Sequence, residues 1–275
     1  MADGDPGQAR FSISRTVDEL VRTTVTGIVD AARTAVAARG VFSIALSGGA
    51  TPRILYEMLA SPAVAAEAPW EDIRIFFGDE RHVPPDSPDS NYRMTREALL
   101  DHVPIPEQNV HRIMTELPNA DMVAVAYAED IRHAFDLRDS PGPGGQLPLP
   151  RFDLILLGIG PDGHTASLFP HSPALAERRK LVVANPVPSL QTTRITITLP
   201  VIDNAARVWF MVTGGTKAHI LKEVIEGPYD PDRLPSQYVN PTDGELLFLL
   251  DTTAASELSP RLRRQAGHSF FEAAC

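Results

Sequence analysis

Residues 152–170 read FDLILLGIGPDGHTASLFP. The run over residues 153–157 has the pattern of a strand buried on both faces, as in a parallel sheet covered by helices. Polar chemistry follows at its end. Gly158, Gly160 and Gly163 allow tight, positive-φ turns and close approach of a ligand to backbone, while Asp162, His164, Thr165 and Ser167 crowd polar groups onto one bend. Ligands of open parallel sheets bind outside the carboxyl ends of the strands, where this bend falls. GIGPDG also matches the G-x-G-x-x-G of dinucleotide sites. That reading fails on context: Pro170 stops any helix after about two turns, and the next strand-like run, over residues 181–184, ends in Asn185 and Pro186 rather than in an acidic residue.

Outward from this stretch the same unit recurs. Val17, Leu20, Val21, Val25, Ile28, Val29, Ala32 and Val36 stand at helical spacing, which predicts a helix over 16–39 with Gly40 as its C-cap. A buried strand over 41–46 then runs into Ser47-Gly48-Gly49-Ala50-Thr51-Pro52, where Pro opens the next helix. Strand, Gly-rich turn and helix N-terminus make an anion-binding arrangement, because unpaired N–H groups and the helix dipole both favour negative charge. A second strand, 73–77, ends in Gly78-Asp79-Glu80-Arg81-His82, so a charged cluster again falls on a carboxyl end. A Pro-rich loop, a helix over 93–102, a short strand over 110–113 and a helix over 121–137 are expected next. DSPGPGGQLPLP, 139–150, reads as a loop within one domain. Residues 194–199 alternate as a strand with one polar face, and 208–212 form a strand feeding TGGTK. Lys217 falls in the first turn of the helix that follows, where the dipole disfavours a cation unless an anion is bound. A last strand is expected over 246–250. The first ten residues, small and polar, are expected to be disordered, leaving 11–275 as a single domain.

Composition excludes several classes of function. The chain has 275 residues, 43% of them apolar, and a formal charge of −10, with no Lys/Arg block to attract nucleic acid or anionic membranes. No apolar run approaches the roughly 18 residues of a membrane span, and MADGDPGQAR has neither the basic start nor the apolar stretch of a secretory signal, so a cytoplasmic location is expected. The only cysteine, Cys275, allows no internal disulfide and no Cys-based zinc cage. There is no H-E-x-x-H and no Walker A sequence. Ala45-Leu46-Ser47-Gly48-Gly49 lacks the first Gly of a nucleophile elbow, which argues against a serine acyl-enzyme.

GxGxDGHTASLFP resembles the signature of the 6-phosphogluconolactonases, and further pieces agree in order. SGGATP resembles that family's first phosphate loop, Gly78-Asp79-Glu80-Arg81 and Ser90-Asn91-Tyr92 its next motifs, and Thr193-Arg194-Ile195-Thr196 and Gly214-Gly215-Thr216-Lys217 its last two. The resemblance implies a Rossmann-like three-layer α/β/α fold with a mostly parallel sheet. It implies hydrolysis of 6-phospho-D-glucono-1,5-lactone, a step of the oxidative pentose phosphate pathway, with no metal and no organic cofactor; no obligate protein partner is inferred from the sequence. His164 becomes the expected general base for direct attack of water, with Asp162 orienting its ring and Arg81 on the oxyanion or the phosphate. Ser47, Gly48, Gly49, Thr51, Asp79, Asn91, Arg194 and Lys217 are the expected substrate and phosphate ligands. The related glucosamine-6-phosphate deaminases carry DGHIAFNEP where this chain has Leu168-Phe169-Pro170 and no Glu. A deaminase or sugar-phosphate isomerase would need a carboxylate pair, which Asp79-Glu80 supplies in sequence. A non-catalytic phosphosugar-binding domain would normally add a basic DNA-reading segment, absent here.

Overall fold

The computed structural model describes residues 9–137 and 148–266. The chain lays down β1 (Ala9–Ser14), α1 (Val17–Arg39), β2 (Phe42–Leu46), α2 (Ala50–Leu59), α3 (Pro62–Ala65), β3 (Ile73–Phe77), β4 (Asp79–Arg81), α4 (Asn91–Ala98) and α5 (Ala120–Ala134). It continues with β5 (Leu154–Leu157), β6 (Val182–Val187), β7 (Thr192–Ile197), α6 (Leu199–Asp203), β8 (Arg207–Val212), α7 (Ala218–Glu226), β9 (Glu245–Asp251) and α8 (Pro260–Gln265). Six strands form one sheet in the order β1-β9-β8-β5-β2-β3, parallel throughout. Helices cover it, as the apolar runs require: every residue of β2 and β5 is buried, and α1 turns Leu20, Val21, Ile28 and Ala32 inward. Thr16 caps α1 by accepting from Glu19 N, and Gly40 closes it, as the spacing predicts. The expected fold class, a Rossmann-like α/β fold on a mostly parallel sheet, is the one observed.

Strand order explains how loops far apart in sequence meet. From β2 the chain moves outward to β3, then returns to the other side of β2 for β5 and continues to β8 and β9. The direction of winding therefore reverses between β2 and β5, the kind of switch point at which such sheets hold ligands. The four adjacent strands β8, β5, β2 and β3 end in TGGTK, GIGPDGH, SGG and GDER, about 5 Å from one strand to the next.

Several expectations are corrected. The charged cluster expected after the 73–77 strand contains a short strand that was not foreseen: Asp79–Arg81 forms β4, in a second, antiparallel sheet of order β4-β7-β6. Residues 110–113 form no strand; Val110 makes one isolated bridge to Ile75, because Pro106 and the 3-10 turn Glu107–Asn109 leave it too little extended chain. Strand β1, unforeseen, begins at Ala9 and takes in two residues of the stretch expected to be disordered. Its side chains alternate only over six residues, and pairing with β9 fixes it. Most of the loop expected at 139–150 lies outside the described residues, as does the N-terminal stretch before Ala9.

At the carboxyl ends the sheet ladder runs out, and two buried tyrosines take over its hydrogen bonds. The Tyr56 hydroxyl accepts from Ser47 N (3.1 Å) and donates to Ser47 O (2.8 Å). Tyr127 treats Phe77 in the same way, at 2.8 and 2.9 Å. Burial pushes both phenols far above their ordinary range, so each stays neutral and able to donate. Replacing Tyr127 by Phe leaves a buried N–H and a buried C=O without a partner. The expected loss is about 1–3 kcal/mol, read as a lower urea midpoint at unchanged slope; an unchanged midpoint would show that the clamp contributes nothing.

Candidate active site

A cleft of about 300 Å³ opens over the ends of β8, β5, β2 and β4. Ser47, Gly48, Asp79, Arg81, Asn91, His164, Arg194 and Lys217 all line it, so eight of the eleven expected site residues come together. Gly49, Thr51 and Asp162 do not line it. Gly49 is the N-cap of α2, and Thr51 turns its hydroxyl to Thr213 (2.6 Å), joining the two Gly-rich loops to each other instead of facing a ligand. Asp162 stands behind His164.

The imidazole is held on three sides. Its Nδ1 lies 2.5 Å from Asp162 Oδ1, and the same oxygen accepts from His164 N at 3.3 Å. Phe169 packs against one face, with ring centroids 4.2 Å apart. On the other side is Gly160, where an added Cβ would come within 2.1 Å of the ring, so only glycine admits this rotamer. Of the three glycines expected to take positive φ on this bend, Gly163 alone does; Gly160 serves by its lack of a side chain, and Gly158 faces open space. Burial works to raise the Asp162 carboxyl, yet the hydrogen bond and charge of His164, with backbone N–H groups, bring it below its usual range. Asp162 is thus an ionised acceptor. A ring that donates from Nδ1 leaves Nε2 as a lone pair, the form a general base needs.

Three cations line the same cleft as His164. Arg81 and Arg194 sit directly opposite each other on β4 and β7, a pairing that like charges disfavour. Among the described residues neither guanidinium forms an ion pair with a carboxylate; Arg81 Nη1 donates only to Asp89 O (2.6 Å), and both Nε atoms are buried without a partner. Burial and then the Arg81 charge push the Arg194 guanidinium below its ordinary range. Lys217 Nζ donates to Ile159 O (2.9 Å), and its pKa is lowered by burial, with Asp162 opposing. Among the described residues none of the three forms an ion pair with a carboxylate, so in a chain of charge −10 the cleft keeps a locally positive lining.

The two carboxylates of GDER go separate ways. Glu80 is buried at the N-terminus of α4, where its oxygens accept from Arg81 N, Ser90 Oγ, Asn91 N and Tyr92 N. Burial raises its carboxyl and those four donors oppose. Asp79 alone faces the cleft, fixed by Ser167 Oγ at 2.6 Å. The carboxylate pair that a deaminase reading takes from Asp79-Glu80 is therefore not assembled. Asn91 packs over Gly48, where a Cβ would fall 1.8 Å from Asn91 Oδ1, so the first Gly-rich loop passes this close only without a side chain.

Sequence reasoning missed Ser167 as a support for Asp79 and missed Asn185, which donates to Ser167 O (2.8 Å) and Ser172 Oγ (3.0 Å). Ser167 shares the bend with His164, which is a legible signal; Asn185 gives none, because its role depends on the second sheet. Leu190, on the hairpin between β6 and β7, also lines the cleft, and no motif marks it.

Comparison with known proteins agrees with the site. The family model for glucosamine-6-phosphate isomerases/6-phosphogluconolactonase matches residues 15–248. A 6-phosphogluconolactonase of Synechocystis sp. is 44% identical over 226 residues, covering 82% of this chain and 88% of that one. The human 6-phosphogluconolactonase is 41% identical over 226 residues, covering 81% and 83%. The solved 6-phosphogluconolactonase of Trypanosoma cruzi superposes with a TM-score of 0.79 at 31% identity, over 91% of this chain and 97% of that one. The His164 loop, the two Gly-rich turns and the parallel sheet that presents them place this chain in the glucosamine-6-phosphate isomerase/6-phosphogluconolactonase family.

Proposed function

We propose that this protein hydrolyses 6-phospho-D-glucono-1,5-lactone to 6-phosphogluconate by His164-assisted attack of water on the lactone carbonyl. The names of its relatives support the substrate. One observation carries the chemistry: His164 is held at Nδ1 by an ionised Asp162, with its ring on a cleft that three cations line. In this reading Nε2 takes a proton from water as the water oxygen bonds to C1, and the carbonyl electrons move onto oxygen. Collapse of the tetrahedral intermediate breaks the bond from C1 to the ring oxygen, which takes the proton back from the imidazolium and leaves as a hydroxyl. Asp162 stabilises the imidazolium between the two transfers.

The substrate carries a phosphate and, in the transition state, an oxyanion, so the cleft must meet two negative groups. Lys217 and the Gly-rich turns after β2 and β8 suit the phosphate, because both turns open helices and lie within reach of each other through Thr51 and Thr213. Arg81 and Arg194 supply the remaining positive charge. Ser47 lacks an activating base in this scheme; its backbone is clamped by Tyr56 and its hydroxyl is a ligand, not a nucleophile.

Substituting His164 by Ala is expected to lower the catalysed rate by about 10²- to 10⁴-fold while 6-phosphogluconate binding persists. Turnover near that of the wild type, after subtraction of spontaneous hydrolysis, would reject the base.

Lys217→Ala is expected to lower kcat/KM for the phosphorylated lactone by roughly 10- to 150-fold and to leave unphosphorylated gluconolactone almost unchanged. Because the Lys217 pKa is lowered, its charge is lost at lower pH than an ordinary lysine's. Calorimetric affinity for 6-phosphogluconate should thus weaken as pH rises, and Lys217→Arg should flatten that limb. Equal kcat/KM for Lys217→Ala and wild type on the phosphorylated lactone would remove Lys217 from the phosphate site.

A further inference from the structure

Asp251 ends β9 beside the end of β8 and is 4% exposed, yet no cation among the described residues pairs with it. A buried carboxylate without a counter-ion is costly unless hydrogen bonds satisfy it. Three do. Oδ1 accepts from Gly214 N (2.9 Å) and Ala254 N (3.0 Å), and Oδ2 accepts from Thr253 Oγ1 (2.5 Å). Gly214 is the hinge of the TGGTK turn: it takes φ 88°, and its carbonyl accepts from Lys217 N at 3.0 Å to close the first turn before α7. From there Lys217 reaches back to Ile159 O on the His164 loop. The preceding residue, Thr213, bonds Thr51 of the first Gly-rich turn. One carboxylate therefore anchors the residue from which the turn, its lysine and the junction of the two turns all hang.

We infer that Asp251 is a positioning residue for phosphate recognition, acting through Gly214 on Lys217 and on the N–H groups that open α7. The inference rests on the phosphate assignment made above for Lys217. Its sign distinguishes it from simple electrostatics. A negative charge near a phosphate repels it, so neutralising Asp251 would tighten phosphate binding if charge were all that mattered. If Asp251 holds the turn, the same change weakens binding, because a neutral amide oxygen accepts less strongly from Gly214 N and Ala254 N than a carboxylate does, and an NH2 group takes the place of the oxygen that accepts from Thr253 Oγ1.

The experiment compares kcat/KM for the phosphorylated and unphosphorylated gluconolactones in wild type, Asp251→Asn and Thr253→Val. Asp251→Asn is expected to reduce the phosphate preference about tenfold, mainly through KM, with kcat/KM on the unphosphorylated lactone changed by less than about twofold. Thr253→Val keeps the charge, removes one donor and is expected to reduce the preference about threefold; it carries the test should Asp251→Asn not fold. A purely structural role would lower thermal stability and depress both substrates alike. An unchanged or increased phosphate preference in either folded variant would overturn the inference. Absence of phosphate preference in the wild type is a different result: it would withdraw the phosphate assignment itself, and this inference with it.

Discussion

The hydrogen bond between Asp162 and His164 is the contact on which the reading of this molecule depends. It forms only because residue 160 has no side chain, so that the imidazole can fold back against its own loop, and because Phe169 closes the other face. A histidine free to rotate would sample both tautomers and several rotamers; this one has Nδ1 against Asp162 and its ring on the cleft. The loop itself is anchored on β5, whose four residues are wholly buried, and full burial of such side chains stabilises by about 1.5–3 kcal/mol each. Core packing and the placement of the His164 ring are thus the same constraint seen at two points of one chain segment.

Around His164 the protein accepts electrostatic frustration. Two arginines face each other across an antiparallel pair, each with its Nε buried and without a partner, and a lysine is partly desolvated at a helix N-terminus that repels it. Each arrangement is unfavourable taken alone. Under the proposed function the dianionic substrate would offset them, since desolvated cations interact with an anion far more strongly than hydrated ones. Most nearby carboxylates are directed elsewhere, Glu80 to the start of α4, Asp251 to Gly214 and Asp162 to His164, while Asp79, which does face the cleft, is held by Ser167.

Much of this was legible in the sequence because the chemistry sits on short loops after strongly apolar strands. The β5 run, the bend that follows it and both Gly-rich turns are local patterns, and adjacency of their strands in the sheet brings them together. What was not legible is non-local. Asp79–Arg81 is three residues long and mostly charged, so nothing in it marks a strand until β7 lies beside it. Thr51 sits in the expected phosphate loop, but only the fold reveals that its hydroxyl meets Thr213. No local pattern marks Tyr56 or Tyr127 as a clamp on a strand end, because that role depends on where the sheet stops. Residues 110–113 show the converse error, since a segment with apolar residues only at Val110 and Ile113 is as compatible with a single bridge as with a strand.

The most direct test of this account is the protonation pattern of His164 itself. Nitrogen NMR of protein labelled in histidine, with the resonance assigned by loss in His164→Gln, distinguishes the two neutral tautomers. The expected spectrum at neutral pH shows the proton on Nδ1 and a bare Nε2, and Asp162→Asn should abolish that preference. A neutral ring carrying its proton on Nε2 would contradict the account, because the nitrogen facing the cleft would then have no lone pair with which to take a proton from water.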